Sequence, residues 1–343
     1  MPIVILDCGR AAASILVSVL LLASARASAQ TFEVLGTRAL GMAGAFVAVA
    51  DDATATYWNP AGLASGPIVD LTVDRQHGDA QSSLSFAVGT PPLGLSYYRI
   101  HSTSLPGPAG GAPADRQNIR SGEAGVRTLL TQHFGATLVQ SLTSRIAVAT
   151  TLKIVHGTAV EGQIAGQTAR DALKAGAELE GAGQTTFDLD AGLLAVYGPW
   201  RAGIAGRNLK RPQFALSSAG AGDRLRLARQ IRGGLAFAPR SRPEGTNGPM
   251  TVAIDFDLER ATTAFGPRRE LAVGGERWWF GGRLGARTGV RVNTGARDDR
   301  HRDPVLAVGV SVSPRRGFLI EGQVTRGEKP LEQAWGLAAR VTF

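Results

Sequence analysis

The sequence predicts an all-β fold: a transmembrane antiparallel β-barrel of about 14 strands with an N-terminal plug (hatch) segment. Three observations support this prediction. Apolar and polar residues alternate from Ile68 onward, the alternating segments are about 9 to 12 residues long, and a secretory signal precedes them. We expect a signal peptide at residues 1–29, a plug segment at residues 30–66 and the transmembrane barrel at residues 67–343.

The first 29 residues have the pattern of a secretory signal peptide. An apolar run from Ala11 to Ala25 is followed by Ala27-Ser28-Ala29, the small-x-small pattern that signal peptidase cleaves. A membrane anchor is the alternative, but the run is about 15 residues long and a spanning helix needs roughly 20. The single cysteine, Cys8, lies within this segment. The mature chain is therefore expected to have no disulfide and no cysteine-ligated metal.

The alternating segments place charged residues of both signs on one face. Asp255 and Asp257 share a face in one segment, and Arg283, Arg287 and Arg291 share a face in a later one. A soluble sandwich turns its polar face to water, whereas a membrane barrel turns apolar residues to lipid and charged ones to the lumen. We expect these residues to form a charge lattice across a wet lumen. The functional alternative is an electrostatic filter for polar or anionic solutes.

The predicted strands and connections follow from the same alternation. The strand centres are Leu71, Phe86, Tyr97, Ala136, Ala149, Ala191, Ile204, Leu235, Ile254, Val273, Gly289, Val308, Ile320 and Ala339. Short turns at Tyr197–Trp200, Phe280–Arg283 and Pro314–Gly317 are expected at one rim. Long connections at Ser102–Gly122, Thr158–Thr185, Leu209–Arg224 and Pro239–Gly248 are expected at the other, with a short helix at Thr168–Leu179 over the mouth of the barrel. Trp278, Trp279, Trp200 and Tyr197 are predicted to form an interfacial girdle.

Composition and motifs argue against several functions. The net charge of +9 is carried by scattered arginines with no basic run, so we expect no nucleic-acid partner. The five histidines lack metal-ligand spacing, and no nucleophile-elbow or phosphate-loop pattern is present. We therefore predict no enzyme activity, no metal and no cofactor.

The segment from Leu35 to Ala64 is apolar, rich in glycine and alanine, and does not alternate like a strand. Gly41 and Gly44 would allow close packing of the backbone against barrel walls. Asp51 or Asp52 can cap a short helix from Ala53 to Trp58, and Asn59-Pro60-Ala61 would end it, because Pro60 disfavours helix in the residue before it. These residues are the candidate plug and gating motif. The alternative is that they serve folding alone.

This segment resembles the N-terminal region of the FadL/OmpP1/TodX outer-membrane transporter superfamily, and in particular its PorV/PorQ-like branch. The resemblance lies in Gly41-Met42-Ala43-Gly44-Ala45, Ala50-Asp51-Asp52-Ala53 and Asn59-Pro60-Ala61-Gly62-Leu63. It implies a barrel of about fourteen strands with the N-terminal segment folded inside as a hatch. A FadL-type lumen is expected to be apolar near the plug and to have a gap or kink in its wall.

Three functions are consistent with these features. The first is passive uptake of hydrophobic small molecules across the bacterial outer membrane. The second is a PorV-like barrel that acts as a scaffold or shuttle for a secreted protein, and the third is a soluble secreted β protein. The final Phe343 resembles the signal read by the barrel-assembly machinery; the alternative is a last strand that happens to end in phenylalanine. The expected partners are outer-membrane lipid, that machinery, and hydrophobic small molecules or a secreted protein.

Overall fold

Fourteen strands form a closed antiparallel barrel in the computed structural model, which describes residues 35–105, 124–164, 169–217, 224–239, 247–263, 266–295, 304–328 and 332–343. The predicted signal peptide lies outside the described residues. The barrel strands are β1 (Asp70–Gly78), β2 (Gln81–Thr90), β3 (Leu93–Ser104), β4 (Ala124–Ser141), β5 (Ile146–Ile164), β6 (Gly183–Tyr197), β7 (Trp200–Arg207), β10 (Gln230–Phe237), β11 (Asn247–Asp257), β14 (Glu270–Trp279), β15 (Leu284–Asn293), β16 (Val305–Arg315), β17 (Phe318–Arg326) and β18 (Ala334–Thr342).

Each barrel strand pairs with the next one along the chain, and β1 pairs with β18 to close the ring. All fourteen predicted strand centres lie in these fourteen strands, so the predicted fold class is confirmed. Two short hairpins stand outside the ring: β8 (Gln213–Ala215) with β9 (Arg224–Arg226), and β12 (Ala261–Thr263) with β13 (Gly266–Arg268). No helix in the described ranges is both long enough and apolar enough to span a bilayer.

The alternation separates an apolar outer face from a polar inner face. On β16, Val308, Val310 and Val312 are exposed on the outside, while Ser311 is buried on the inside. The same pattern on β11 exposes Val252 and Ile254 and buries the two aspartates of the predicted charge lattice. Because large apolar side chains are exposed on nearly every strand, this outer surface is suited to lipid rather than to water.

The strand connections differ between the two rims of the barrel. We call one the short-turn rim, which carries the connections 91–92, 142–145, 198–199, 280–283 and 316–317. The other, the long-loop rim, carries 105–123, 165–182, 208–229, 258–269 and 294–304. The prediction for Pro239–Gly248 is wrong: it lies at the short-turn rim, since Phe237 at the end of β10 pairs with Trp200.

The wall is raised on one side of the long-loop rim. Strands β4 and β5 have 18 and 19 residues, longer than the predicted strands. Helix α3 (Ala169–Gly176) packs on their outer face, where Thr128 donates a hydrogen bond to the Gly176 carbonyl at 2.7 Å. On the inner face, Phe214 of the β8–β9 hairpin packs against Gly157. Helix α3 lies within the helix predicted at 168–179, whose first residue is outside the described residues. Its predicted position over the mouth is wrong, because it packs on the outside of the wall against Thr103 and Val126.

The predicted aromatic girdle is only partly correct. Tyr197 and Trp200 are exposed at the short-turn rim. Trp278 instead points into the barrel, because it lies on the same face of β14 as Glu276. It is buried, and the guanidinium carbon of Arg287 lies 5.6 Å from the centre of its ring.

Candidate functional site

The residues from Leu35 to Gly66, which we call the N-terminal segment, lie inside the barrel. The segment contains helix α1 (Thr37–Gly41), helix α2 (Ala55–Trp58) and a 3₁₀ helix (Pro60–Ser65). Its side chains from Leu35 to Ala50 are all buried, and the apolar ones join a core with inward-facing wall residues. Short helices and small residues let the chain fold back on itself within this narrow space.

Glycines on both sides allow the segment to touch the wall. Gly41 lies against Gly309, where a Cβ would come 3.3 Å from the Gly309 Cα. On the wall, a Cβ at Gly274 would lie 2.4 Å from the Met42 carbonyl oxygen, closer than any real Cβ contact. Gly44 has a φ of +86°, a left-handed conformation that favours glycine. At these glycines the backbone of the segment therefore packs directly against the backbone of the wall.

Arg38 joins the segment to itself and to the wall. Its guanidinium lies 2.6 Å from Asp51, 2.9 Å from Asp52 and 2.9 Å from Glu276 on β14. Two parallel hydrogen bonds from Arg38 to the Glu276 carboxylate fix the orientation of the pair. Arg38 was not predicted from the sequence, because its wall partner is distant in the chain.

Asp52 is held by two arginines. Besides Arg38, the guanidinium of Arg340 on β18 donates to its carboxylate at 3.0 Å. Burial acts to raise the pKa of Asp52, but the two guanidiniums outweigh burial and hold that pKa below its ordinary value. Asp52 is therefore ionised at neutral pH. Asp51 lies closer to the surface, and its second oxygen is 3.6 Å from Arg201.

Wall carboxylates also bind the backbone of the segment. The Asp255 carboxylate accepts hydrogen bonds from the amides of Phe46 and Val47, each at 2.7 Å. Asp74 accepts from the Thr37 amide at 2.5 Å. Thr37 begins helix α1, which leaves its amide without a helical partner, and Phe46 and Val47 lie between the helices, so the wall carboxylates satisfy amides that the segment itself does not.

Asn59 occupies the junction of the segment with the opposite wall. Its side-chain amide donates to the carbonyls of Val47 at 2.9 Å and Leu193 at 3.1 Å, and its oxygen accepts from the Ala61 amide at 3.2 Å. Helix α2 ends at Trp58, and Asn59 is extended before Pro60, as the motif predicts. The predicted start is wrong: the helix begins at Ala55, and its N-cap residue is Thr54 rather than an aspartate. Asn59, Pro60 and Ala61 are buried, so this motif holds the fold of the segment and its attachment to β6.

The predicted charge lattice is only partly assembled as expected. Arg287 lies 2.5 Å from Glu276 and 2.9 Å from Glu321, and Asp257 lies 2.7 Å from Arg232. Arg291 is more loosely placed, 3.4 Å from Glu270. The prediction for Arg283 is wrong: it lies in the exposed turn before β15, outside the lumen.

A second buried charge cluster lies across the lumen. Lys153 on β5 is 2.9 Å from Asp188 and 2.7 Å from Asp190 on β6, and it donates to Asn208 at 3.0 Å. Sequence reasoning missed this cluster. The signal was present, since Asp188 and Asp190 alternate with apolar residues as Asp255 and Asp257 do. Within the described residues, no group of three or more His, Cys, Asp or Glu side chains is arranged to hold a metal.

The lumen wall is divided into two unlike sectors. From β11 through β18 to β1 it is dominated by charged side chains, whereas β4, β5, β6 and β10 contribute an apolar patch at the short-turn half. That patch consists of Val139, Ala147, Ala149, Leu194 and Ala236. The larger apolar wall side chains of this core are thus on β3 to β6, with Tyr98 and Ile100 on β3, whereas β11 and β14 contribute only Ala253 and Ala272. Neighbouring strands are paired around the ring, with register shifts only at Asn247/Met250 and Val312/Arg315 in the described ladders. The described wall therefore shows no gap of the expected kind.

Solved structures with a similar fold are FadL-type barrels. The chain is similar to a Pseudomonas aeruginosa FadL homologue, with a TM-score of 0.57 and 11% identity over 92% of this chain and 100% of that chain. It is similar to the CymD monoaromatic hydrocarbon channel (TM-score 0.56, 13% identity, 90% and 97% covered). It is also similar to the Pseudomonas putida toluene transporter TodX, with a TM-score of 0.52 and 12% identity over 91% of this chain and 98% of that chain. At these identities the likeness concerns the fold.

The closed ring of fourteen strands with the N-terminal segment inside it has the fold of these FadL-type barrels, which confirms the fold that the N-terminal motif implied. The PorV/PorQ-like branch stays a prediction. By sequence, the chain belongs to the family described as the TraF protein of the F plasmid transfer operon, whose model matches residues 76–257. That range runs from within β1 to the end of β11 and excludes the N-terminal segment. No curated protein matches the sequence significantly.

Proposed function

We propose that this protein is a channel of the bacterial outer membrane, that the N-terminal segment is its plug, and that hydrophobic small molecules are its solutes. One observation carries the proposal. The segment covers the apolar sector of the lumen wall while its polar anchors, Arg38 and Asp52 among them, bind the opposite, charged sector. Release of those anchors would uncover an apolar surface inside the barrel.

The fold supports the choice of solute. Two barrels of similar fold are described as a monoaromatic hydrocarbon channel and a toluene transporter. In the closed form the segment fills the lumen, so passage requires the segment to move. The anchors suit such movement, because a buried ion pair stabilises a fold little once the cost of desolvating its charges is counted, and both partners regain hydration when the segment leaves the lumen.

Deletion of residues 35–64 tests the plug. We expect the shortened protein to assemble as a barrel and to show raised conductance in planar bilayers, because the segment no longer fills the lumen. Unchanged conductance from an assembled barrel would contradict the plug assignment. Heat-modifiable gel mobility verifies that the barrel has assembled.

Uptake by cells tests the solute. Expression of the full chain is expected to accelerate uptake of toluene without accelerating uptake of a polar solute of similar size, such as glycerol. Equal acceleration of both would indicate an unselective pore and exclude the apolar route.

A scaffold for a secreted protein is the second candidate, and the raised wall of β4 and β5 favours it. Helix α3 and the β8–β9 hairpin give this wall an ordered surface on both faces. A scaffold role requires crosslinking of a secreted protein to this wall in intact cells. It also requires that the crosslink disappear on substitution of exposed α3 residues while toluene uptake is unchanged.

A further inference from the structure

An apolar groove lies on the outer face of the barrel across strands β2 to β6. It has a volume of about 570 Å³. Its lining includes Phe86, Leu95, Phe134, Leu152, Ile154 and Phe187, all of which point outward and are exposed. This volume is within the range of roughly 300–1,000 Å³ that is typical of small-ligand sites. An outward groove of this kind on a membrane barrel is open to the hydrocarbon of the bilayer.

A polar row borders the groove on the side of the long-loop rim. Strand register places Arg99 opposite Gln132, Gln132 opposite His156, and His156 opposite Thr185. The four residues form one continuous row on the outer face. It lies two residues, or about 7 Å, above the row of Tyr97, Phe134, Ile154 and Phe187 that lines the groove.

The polar row faces outward, and its permanent cation is Arg99. Arg99 is exposed, and it has no ion pair in the part of the chain that the structure describes. Lys210 reaches the same region from the loop after β7, with its ammonium 4.7 Å from the centre of the Phe187 ring. The row itself contains no carboxylate. Basic side chains at the edge of an apolar lipid-facing surface are placed to bind anionic headgroups.

The short-turn rim of outer-membrane barrels faces the periplasm and the rim with longer connections faces outward. The row therefore lies at the level of the outer leaflet. We infer that the groove and the polar row form a binding site for a phosphate-bearing, multi-acyl lipid of the outer leaflet, with acyl chains in the groove and phosphate at Arg99 and Lys210. This inference rests on the proposed outer-membrane location, and it is independent of the proposed solute.

Lipid binding to the purified full-length protein tests the inference. Hexa-acyl lipid A is titrated into the protein in a non-ionic detergent, and binding is followed by native mass spectrometry and by thermal stabilisation. The parallel titrations use monophosphoryl lipid A and phosphatidylglycerol. We expect lipid A to bind most tightly and monophosphoryl lipid A less tightly. Binding of phosphatidylglycerol as tight as that of lipid A would overturn the assignment.

Charge variants test the headgroup part of the site. The double variant Arg99→Gln with Lys210→Gln should bind lipid A about tenfold or more weakly, since each basic residue near a lipid headgroup contributes to its capture. Arg277→Gln is the matched control, because Arg277 is exposed on the outer face near the opposite rim and lies against Trp279 at 5.6 Å. Equal loss in the control, or no loss in the double variant, would overturn the proposal.

A shape variant tests the groove without changing charge. Ala136 lines the groove and is exposed, so Ala136→Trp should fill it and weaken lipid A binding. Val308→Trp adds the same bulk to the lipid-facing surface of β16, away from the groove, and should leave binding unchanged. If the two variants behave alike, the groove does not hold the acyl chains. Heat-modifiable mobility of each variant verifies that its barrel is folded.

Discussion

Arg38 is the residue on which most of the segment's polar attachment converges. It binds two carboxylates of its own segment and one of the wall, and it is buried beside the Phe46 ring at 5.2 Å. Loss of one partner of a buried ion pair is costly because the remaining charge is left without compensation. Here the remaining charges keep partial compensation, since Glu276 still faces Arg287 and Asp52 still faces Arg340.

Arg38→Met should weaken attachment of the N-terminal segment by about 3 kcal/mol, the lower end of the range for broken buried pairs. The measurement is single-channel recording, in which open events should become more frequent than in the unchanged protein. Arg283→Met is the control, because Arg283 is an exposed arginine outside the lumen. If recordings of Arg38→Met match those of the unchanged protein, the segment is held in the lumen without its ion pairs.

Adjacent glycines on β14 offer a test of the backbone fit. A methyl group at Gly274 would collide with the Met42 carbonyl, whereas at Gly275, on the other face of the strand, it would meet only the Thr251 oxygen at 3.4 Å. Gly274→Ala should destabilise the docked segment by about 1–3 kcal/mol, as overpacking does. Limited proteolysis within residues 35–66 should be faster in Gly274→Ala than in Gly275→Ala. Equal cleavage rates would mean that the wall yields at this contact.

At the scale of elements, the β8–β9 hairpin is a small unit with its own core at the long-loop rim. Phe214, Leu225 and Leu227 are buried with Leu129 and Val155 of the raised wall. The hairpin is short and has few backbone pairs of its own. Its polar ties to the wall include one backbone bridge from Leu216 to Ala159 and two hydrogen bonds between Ala215 and Gln184, and we expect the apolar side chains to contribute most to its position.

Phe214→Ala should release the hairpin from the wall at a cost of about 3–5 kcal/mol, the range for a large aromatic removed from a core. Hydrogen exchange of residues 213–215 and 224–227 should rise to near the unprotected rate while the barrel strands stay protected. Phe237→Ala, a partly buried phenylalanine on β10 at the opposite rim, should leave that exchange unchanged. Protection retained in Phe214→Ala would mean that backbone pairing alone holds the hairpin.

At the scale of the whole molecule, the apolar outer face distinguishes a membrane barrel from a soluble one. Val310 is exposed near the middle of β16, and Leu306 is exposed on the same face near its long-loop end. In a bilayer, an arginine at mid-depth costs about 2–4 kcal/mol and one near the interface about 0–1 kcal/mol. A soluble protein would tolerate both changes equally, because both positions would face water.

Val310→Arg should therefore lower unfolding stability in lipid bilayers by about 2–4 kcal/mol, and Leu306→Arg by less than about 1 kcal/mol. Reversible denaturant unfolding in lipid vesicles measures both. Equal stabilities of the two variants would argue for a soluble secreted protein, the alternative that alternation alone does not exclude.

The barrel could be predicted from the sequence because the inner and outer faces of each strand meet different surroundings. Polar and apolar residues therefore alternate in nearly every strand. It could not reveal Arg38, whose partner Glu276 is 238 positions away, since pairing at that distance depends on the closed ring. It misplaced Arg283 because the arginine spacing continues past the start of β15 into a turn. It misplaced Trp278 because two adjacent tryptophans at a strand end must point to opposite faces. The groove was invisible because its residues come from five strands.

For single residues, the structure tests the predicted position, while the predicted role needs a functional measurement. The plug motif and the aspartates of the charge lattice lie in the lumen, while their role in gating stays a prediction. Phe343 directly follows β18, and its amide and carbonyl are hydrogen-bonded to the backbone of Val69; its role as an assembly signal also stays a prediction.

The contacts of the N-terminal segment impose an order on biogenesis. Arg340, a partner of Asp52, lies 288 positions after it, and β1 closes the ring only when β18 arrives. The segment is synthesised before every strand that binds it, yet it can complete its contacts only after the last strand is in place. Until then its apolar residues must be shielded from aggregation, so a docked segment marks a barrel whose assembly is finished.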